Sequence, residues 1–263
     1  FKQKTAYEIM PSLVGSEMCI RDSIINWFLT RHGEWVEESR LVSWAKKLGI
    51  NLNDDGEINE EQLFHLFVLA VLWNNKPTYN AEKGEQVFKQ IKGEYTFSSF
   101  RRASYDASTR LRLKRIASKN IGNPGVFHLL KFITKPDTWD KIMETFNFPV
   151  IGDKADDIKR LEDLWRLFNN PRREAYLTLK LFLIFREIKI QFANDDKYQY
   201  HPAICCVPDS HVRNALAKLD LIKNAGKRDL QSLIRCSEVI AKNFCKPPYE
   251  LYDLPLFFWH KET

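Results

Sequence analysis

Apolar residues recur at three- and four-residue spacing along most of this chain, so the pattern predicts helix after helix and an all-α fold class. The clearest segment starts at Asn59, a good cap with Gln62 three residues on to complete a capping box. Leu63, Phe64, Phe67, Val68, Val71 and Leu72 then supply a buried face. Residues 24–48 read as one or two helices, and 81–90, 98–104, 107–119, 138–146 and 156–167 as further ones. Gly122-Asn123-Pro124-Gly125 breaks the chain, and Asn169-Asn170-Pro171 turns tightly into a long apolar helix that ends near Ile190. The longest apolar stretches, Leu63 to Trp73 and Leu177 to Ile190, are amphipathic or interrupted by charge, so they read as buried helices and not as bilayer spans.

Composition supports this picture. Eighteen Phe, nine Tyr and seven Trp against ten Gly favour packed helices over a turn-rich β fold. Lys2–Ile9 and Leu13–Asp22 back-translate into library and transposase adapters, so residues 1–23 read as an assembly scar that should pack poorly. That leaves 24–263 as one domain whose native start is missing. The formal charge of +6 is matched by a local excess between Phe97 and Lys119, where Arg101, Arg102, Arg110, Arg112, Lys114, Arg115 and Lys119 face only Asp106. Such clustering suits a polyanion or a solvated helix surface. Setting Cys19 aside, a vicinal pair at 205–206 and distant Cys236 and Cys245 fit no common disulfide or zinc framework, which points to a reducing compartment. Asn51 to Gln62 imitates a calcium loop, but its twelfth residue is Gln62 where a bidentate Glu is needed, so no calcium is expected.

The candidate chemistry lies at Val207-Pro208-Asp209-Ser210-His211-Val212-Arg213. Pro208 breaks any preceding helix, Asp209 is a good N-cap, and Val212, Leu216 and Leu219 follow at helical spacing. The residues alone allow either an ordinary cap or a rigid, ionised catalytic carboxylate. The strip resembles the Pro-Val-Asp-x-His-Val-x-Arg segment of helix-hairpin-helix DNA glycosylases, with Pro and Val exchanged and Asp209 on the catalytic aspartate. The resemblance implies a two-lobed helical fold over residues 24–263, with weak similarity across most of 60–260. It also implies a monomer that acts on double-stranded DNA with a flipped base, in the cytoplasm and associated with the nucleoid.

Other positions follow from the same resemblance. The family hairpin Leu-Pro-Gly-Ile-Gly-x-Lys-Thr-Ala falls on Leu167 to Ala175, where the glycines that approach phosphate through a bound monovalent cation are missing. Asn169 and Asn170 can still turn the chain, and Arg172 and Arg173 can hold phosphate by charge. Arg173 occupies the place of the lysine nucleophile and cannot form a Schiff base, so a monofunctional enzyme is expected. Lys180, two turns further on, is the alternative nucleophile. Asn74 or Asn75 would probe the gap left by the flipped base, unless either is a plain cap. His211 and Arg213 would contact the DNA backbone or serve structure. Residues 247–259 resemble the family's closing helix, and the polar segment from Lys189 to Cys206 is an insertion like that of archaeal 8-oxoguanine glycosylases. Cys236 and Cys245 cannot build the family's four-cysteine cluster, so neither iron–sulfur centre nor other cofactor is expected. Two alternatives stay open: a queuosine-type nucleoside glycosylase, which shares a Val-Pro-Asp strip, and an inactive DNA-binding module derived from a glycosylase.

Overall fold

A computed structural model describes residues 16–32, 40–50, 58–73, 81–121, 124–147, 153–168, 174–193, 195–246 and 249–262. Among them the chain forms α1 (Ser16–His32), α2 (Arg40–Lys47), α3 (Glu60–Leu72), α4 (Ala81–Glu94), α5 (Phe97–Tyr105), α6 (Ala107–Asn120) and α7 (Pro124–Ile133). There follow α8 (Thr138–Asn147), α9 (Lys154–Phe168), α10 (Glu174–Gln191), α11 (Ser210–Lys218), α12 (Leu230–Phe244) and α13 (Leu254–Glu262). The fold is all-α apart from a two-residue ribbon, β1 (Cys245–Lys246) with β2 (Tyr249–Glu250), which helical periodicity does not foretell. No helix among the described residues is long and apolar enough to cross a membrane.

Helix α3 forms where the capping signal placed it. Asn59 Oδ1 accepts from the Gln62 amide at 2.8 Å, and Gln62 Oε1 accepts from the Asn59 amide at 2.9 Å. Gln62, the position that spoils the calcium-loop pattern, is thus used as a cap; residues 51–57 lie outside the described ones. Every residue from Gln62 to Leu72 is buried, as expected of a helix wrapped by neighbours on all sides. It packs against α2, α4, α7 and α10, and α10 packs in turn against α2, α7 and α9. Aromatic rings fill the spaces between them, with Phe64 on Phe100 at 4.9 Å and Phe146 on Phe185 at 5.2 Å between centroids.

Two boundaries differ from the sequence reading. Helix α1 begins at Ser16, inside the segment assigned to the leader, and Ile20 packs partly buried on the core. Residue 24 is therefore not an element boundary, while residues 1–15 lie outside the described ones. The segment from Lys189 to Cys206, read as a polar insertion, is in large part buried. Its first residues complete α10, and the rest folds inward on two short 3-10 turns, Asp196–Tyr198 and Pro202–Ile204. Tyr198 and Tyr200 are buried, Lys189 Nζ donates to the Tyr200 carbonyl at 2.8 Å, and the Asp157 carboxylate accepts the His201 amide at 2.6 Å. These bonds deliver the chain to Val207 from a fixed direction.

Candidate active site

Pro208 cannot extend a helix backwards, so the chain enters α11 with Asp209 in extended conformation at the N-cap. The Val212 amide donates to Asp209 Oδ1 at 2.9 Å. Burial raises the carboxyl's pKa above its ordinary value, the amides of Val212 and His211 pull it back down, and the nearby Asp253 charge pushes it up again. The result is a half-buried acid whose orientation is set by the backbone of the helix it caps.

Lys180 lies in the field of this acid. It projects from α10, and its Nζ donates to the carbonyl of Trp73, the residue that caps the end of α3. Burial of the ammonium lowers its pKa to about 8, while the charge of Asp209 works in the opposite direction. The helices that bury the amine also bring it under the influence of the carboxylate, although the two residues are separated by an inward-folded segment of the chain.

Behind Asp209 stands a buried ionic cluster. Arg186 Nη1 donates to both oxygens of Asp253 at 2.8 and 2.9 Å, and its Nε and Nη2 donate to Glu187 Oε1 at 3.0 and 2.9 Å. The two carboxylates hold the guanidinium charged, with a pKa above its ordinary value despite complete burial. Asp253 Oδ1 also accepts the Val207 amide at 2.9 Å, and Glu187 Oε2 accepts the Leu41 amide at 3.3 Å. Tyr252, just before Asp253, takes a left-handed backbone with φ of 54° that turns the chain into α13. The cluster therefore ties α10 to α2, to the start of α13 and to the residue two before Asp209.

The other expected site residues separate into three groups. Arg213 is buried, with 3% of its surface exposed, and its guanidinium is spent on two carbonyls, Asp209 O at 3.2 Å and Lys227 O at 2.7 Å. Of the two roles expected of it, the placement fits the structural one: it clamps α11 to the loop that follows. His211 is exposed and stands against α13, its Nδ1 3.3 Å from Nδ1 of His260 and its ring edge-on to Phe257. Asn74, Asn75, Asn169, Asn170, Arg172 and Arg173 lie outside the described residues, so the expected hairpin and gap-probing position do too. Asp253 and Arg186 were not anticipated. A lone Arg-Glu pair inside the apolar run of α10 is the signal that could have found them, since buried charges demand partners.

No set of three or more His, Cys, Asp or Glu side chains among the described residues is grouped to hold a metal ion. Cys206 and Cys245, read as unrelated in sequence, meet with their sulfurs 3.6 Å apart, and both are free thiols. Comparison of the chain with protein-family models, with curated proteins and with solved structures returns no match.

Proposed function

We propose that this protein is a DNA N-glycosylase that removes a damaged or mismatched base from duplex DNA. The reading is supported by the placement of Asp209, a half-buried carboxylate fixed by the first turn of α11 with its charge acting on the Lys180 ammonium. As the base departs with the bonding electrons, positive charge develops on the deoxyribose. A preorganised, ionised carboxylate stabilises that charge and orients the attacking water. The water oxygen bonds to C1′, and its proton passes by way of the carboxylate to the leaving base. A base stacked in a duplex is out of reach of such a group, so the target nucleotide must be flipped out. Asp209→Asn keeps the size and much of the cap while removing the charge. Base release from a panel of lesion-bearing duplexes should fall by orders of magnitude, with folding and DNA affinity retained. Unchanged release in this variant would end the reading.

Arg173 implies a monofunctional enzyme, but one observation favours strand cleavage as well. At pH 7 an amine with a pKa of about 8 is neutral roughly 300 times more often than an ordinary lysine. A neutral Lys180 could displace the base at C1′, the ring C–O bond would open to a protonated imine, and loss of a 2′ proton would expel the 3′ phosphate. Borohydride separates the two readings. A trapped protein–DNA adduct that vanishes in Lys180→Ala establishes the lyase step, whereas strands that break only after alkali establish simple hydrolysis.

A further inference from the structure

Helices α6 and α7 pack side by side along a shallow surface groove. Leu113, Ala117, Phe127 and Leu130 supply its apolar lining, and Lys114 and Lys131 supply its charge. Arg110 stands one turn before Lys114 on α6, and Lys135 stands one turn after Lys131 beyond the end of α7. Arg110, Lys131 and Lys135 all bear on Lys114, whose pKa is lowered first by burial and then by these three cations. Among the described residues no carboxylate pairs with any of the four; Lys135 only caps the Phe132 ring at 4.4 Å.

The same basic run shows what a structural arginine looks like. Arg101, on α5, is neutralised by Glu60 at 3.0 Å and by Asp140. Lys114 and Lys131 line the groove from the two helices, and Arg110 and Lys114 are like charges at i and i+4 on α6, an arrangement that weakens a helix and gains the fold nothing. Such charges suit a polyanion. Neighbours at i and i+4 lie about 6 Å apart, close to the roughly 7 Å that two phosphate steps advance along one DNA strand. A bilayer fits less well. Leu111 is the one large apolar side chain exposed on α6 among the described residues, whereas helices that lie on membranes bury an entire apolar face.

We infer that the groove between α6 and α7 is a phosphate-binding strip that grips the backbone of duplex DNA without reading its sequence. The choice of duplex DNA rests on the glycosylase reading; the anion-binding character rests on the groove itself. The direct test is fluorescence anisotropy with a labelled, undamaged DNA duplex over a series of salt concentrations. It compares wild type, Lys114→Gln/Lys131→Gln/Lys135→Gln, and the control Lys159→Gln/Lys223→Gln/Lys242→Gln, which removes the same charge from exposed positions away from the groove. The groove variant should lose tenfold or more in affinity, and its salt slope should flatten by about 2 to 3 units. Lys131→Gln/Lys135→Gln, which touches only exposed residues, should flatten it by about 2. Groove variants that bind like wild type or like the control would overturn the strip. So would a wild type that binds phosphatidylserine vesicles and not DNA. A wild type that binds through the groove but releases no base from any lesion duplex would sink the glycosylase reading and leave the strip standing.

Discussion

Replacing Asp253 with alanine tests whether the buried ionic cluster is what holds the Asp209 loop in place. The substitution removes two charge-assisted bonds to Arg186 and the acceptor of the Val207 amide. Glu187 remains on the guanidinium, so the arginine is left half-compensated and fully buried. Breaking one side of a buried pair typically costs about 3–5 kcal/mol, and an orphaned amide costs about 1–3 kcal/mol, part of which is already counted in the first figure. The expected loss is therefore about 4 kcal/mol, or roughly a 10 °C fall in melting temperature for a chain of this size. Urea unfolding followed by circular dichroism at pH 7 measures it. Arg186→Met combined with Asp253→Ala should cost less than the sum of the two, because the double variant no longer buries an underpaired charge. A functional readout separates a loosened fold from the specific role. Asp253 raises the Asp209 pKa by like-charge repulsion, so Asp253→Asn should move the acid limb of base release to lower pH. An alanine variant within 1 kcal/mol of wild type, or an acid limb that stays put or moves to higher pH, would refute the reasoning.

Two further outcomes follow from the same geometry. Lys180 has its pKa lowered on folding, so protonating it in the native state opposes stability below about pH 8, and that penalty fades as pH rises from there toward the unfolded-state value of 10.5. Lys180→Met should accordingly be more stable than wild type at pH 7, by up to roughly 3 kcal/mol, with the gap closing by pH 10; a gap that does not vary with pH would count against the assignment. Arg213→Met should destabilise α11 and its following loop by roughly 2–3 kcal/mol while leaving the salt slope of DNA binding unchanged. A flattened slope would return Arg213 to the phosphate-contacting role.

What could be read from the sequence depended on how local the cause was. The capping box at Asn59, the Asp209 cap and the buried length of α3 each rest on residues within one or two turns of each other, and periodicity with cap chemistry found them. The ribbon at Cys245 to Glu250 escaped because it is two residues long. The inward fold of residues 195–206 escaped because its organising partners, Asp157 and Lys189, lie on other helices. Local patterns also carry charge without saying whether it is used: Arg101, Arg110 and Arg213 look alike in sequence, yet one is paired with carboxylates, one acts on a neighbouring lysine and one is buried against carbonyls.

The candidate site shows the same division at finer scale. Asp209 announces itself through Pro208 and the helix behind it, whereas nothing near Lys180 marks it as different from any lysine on a helix face. Its identity comes from the Trp73 carbonyl, more than a hundred residues earlier, and from an aspartate on another helix. Arg186 and Glu187 were the legible hint, since adjacent opposite charges in an otherwise apolar run are too expensive to bury without purpose. Asp253 supplies that purpose by joining the guanidinium to the Val207 amide. The buried pair thus acts through the loop it anchors. Helix α10 carries both Lys180 and Arg186, so it links the amine under the influence of Asp209 to the cluster that anchors the loop before it.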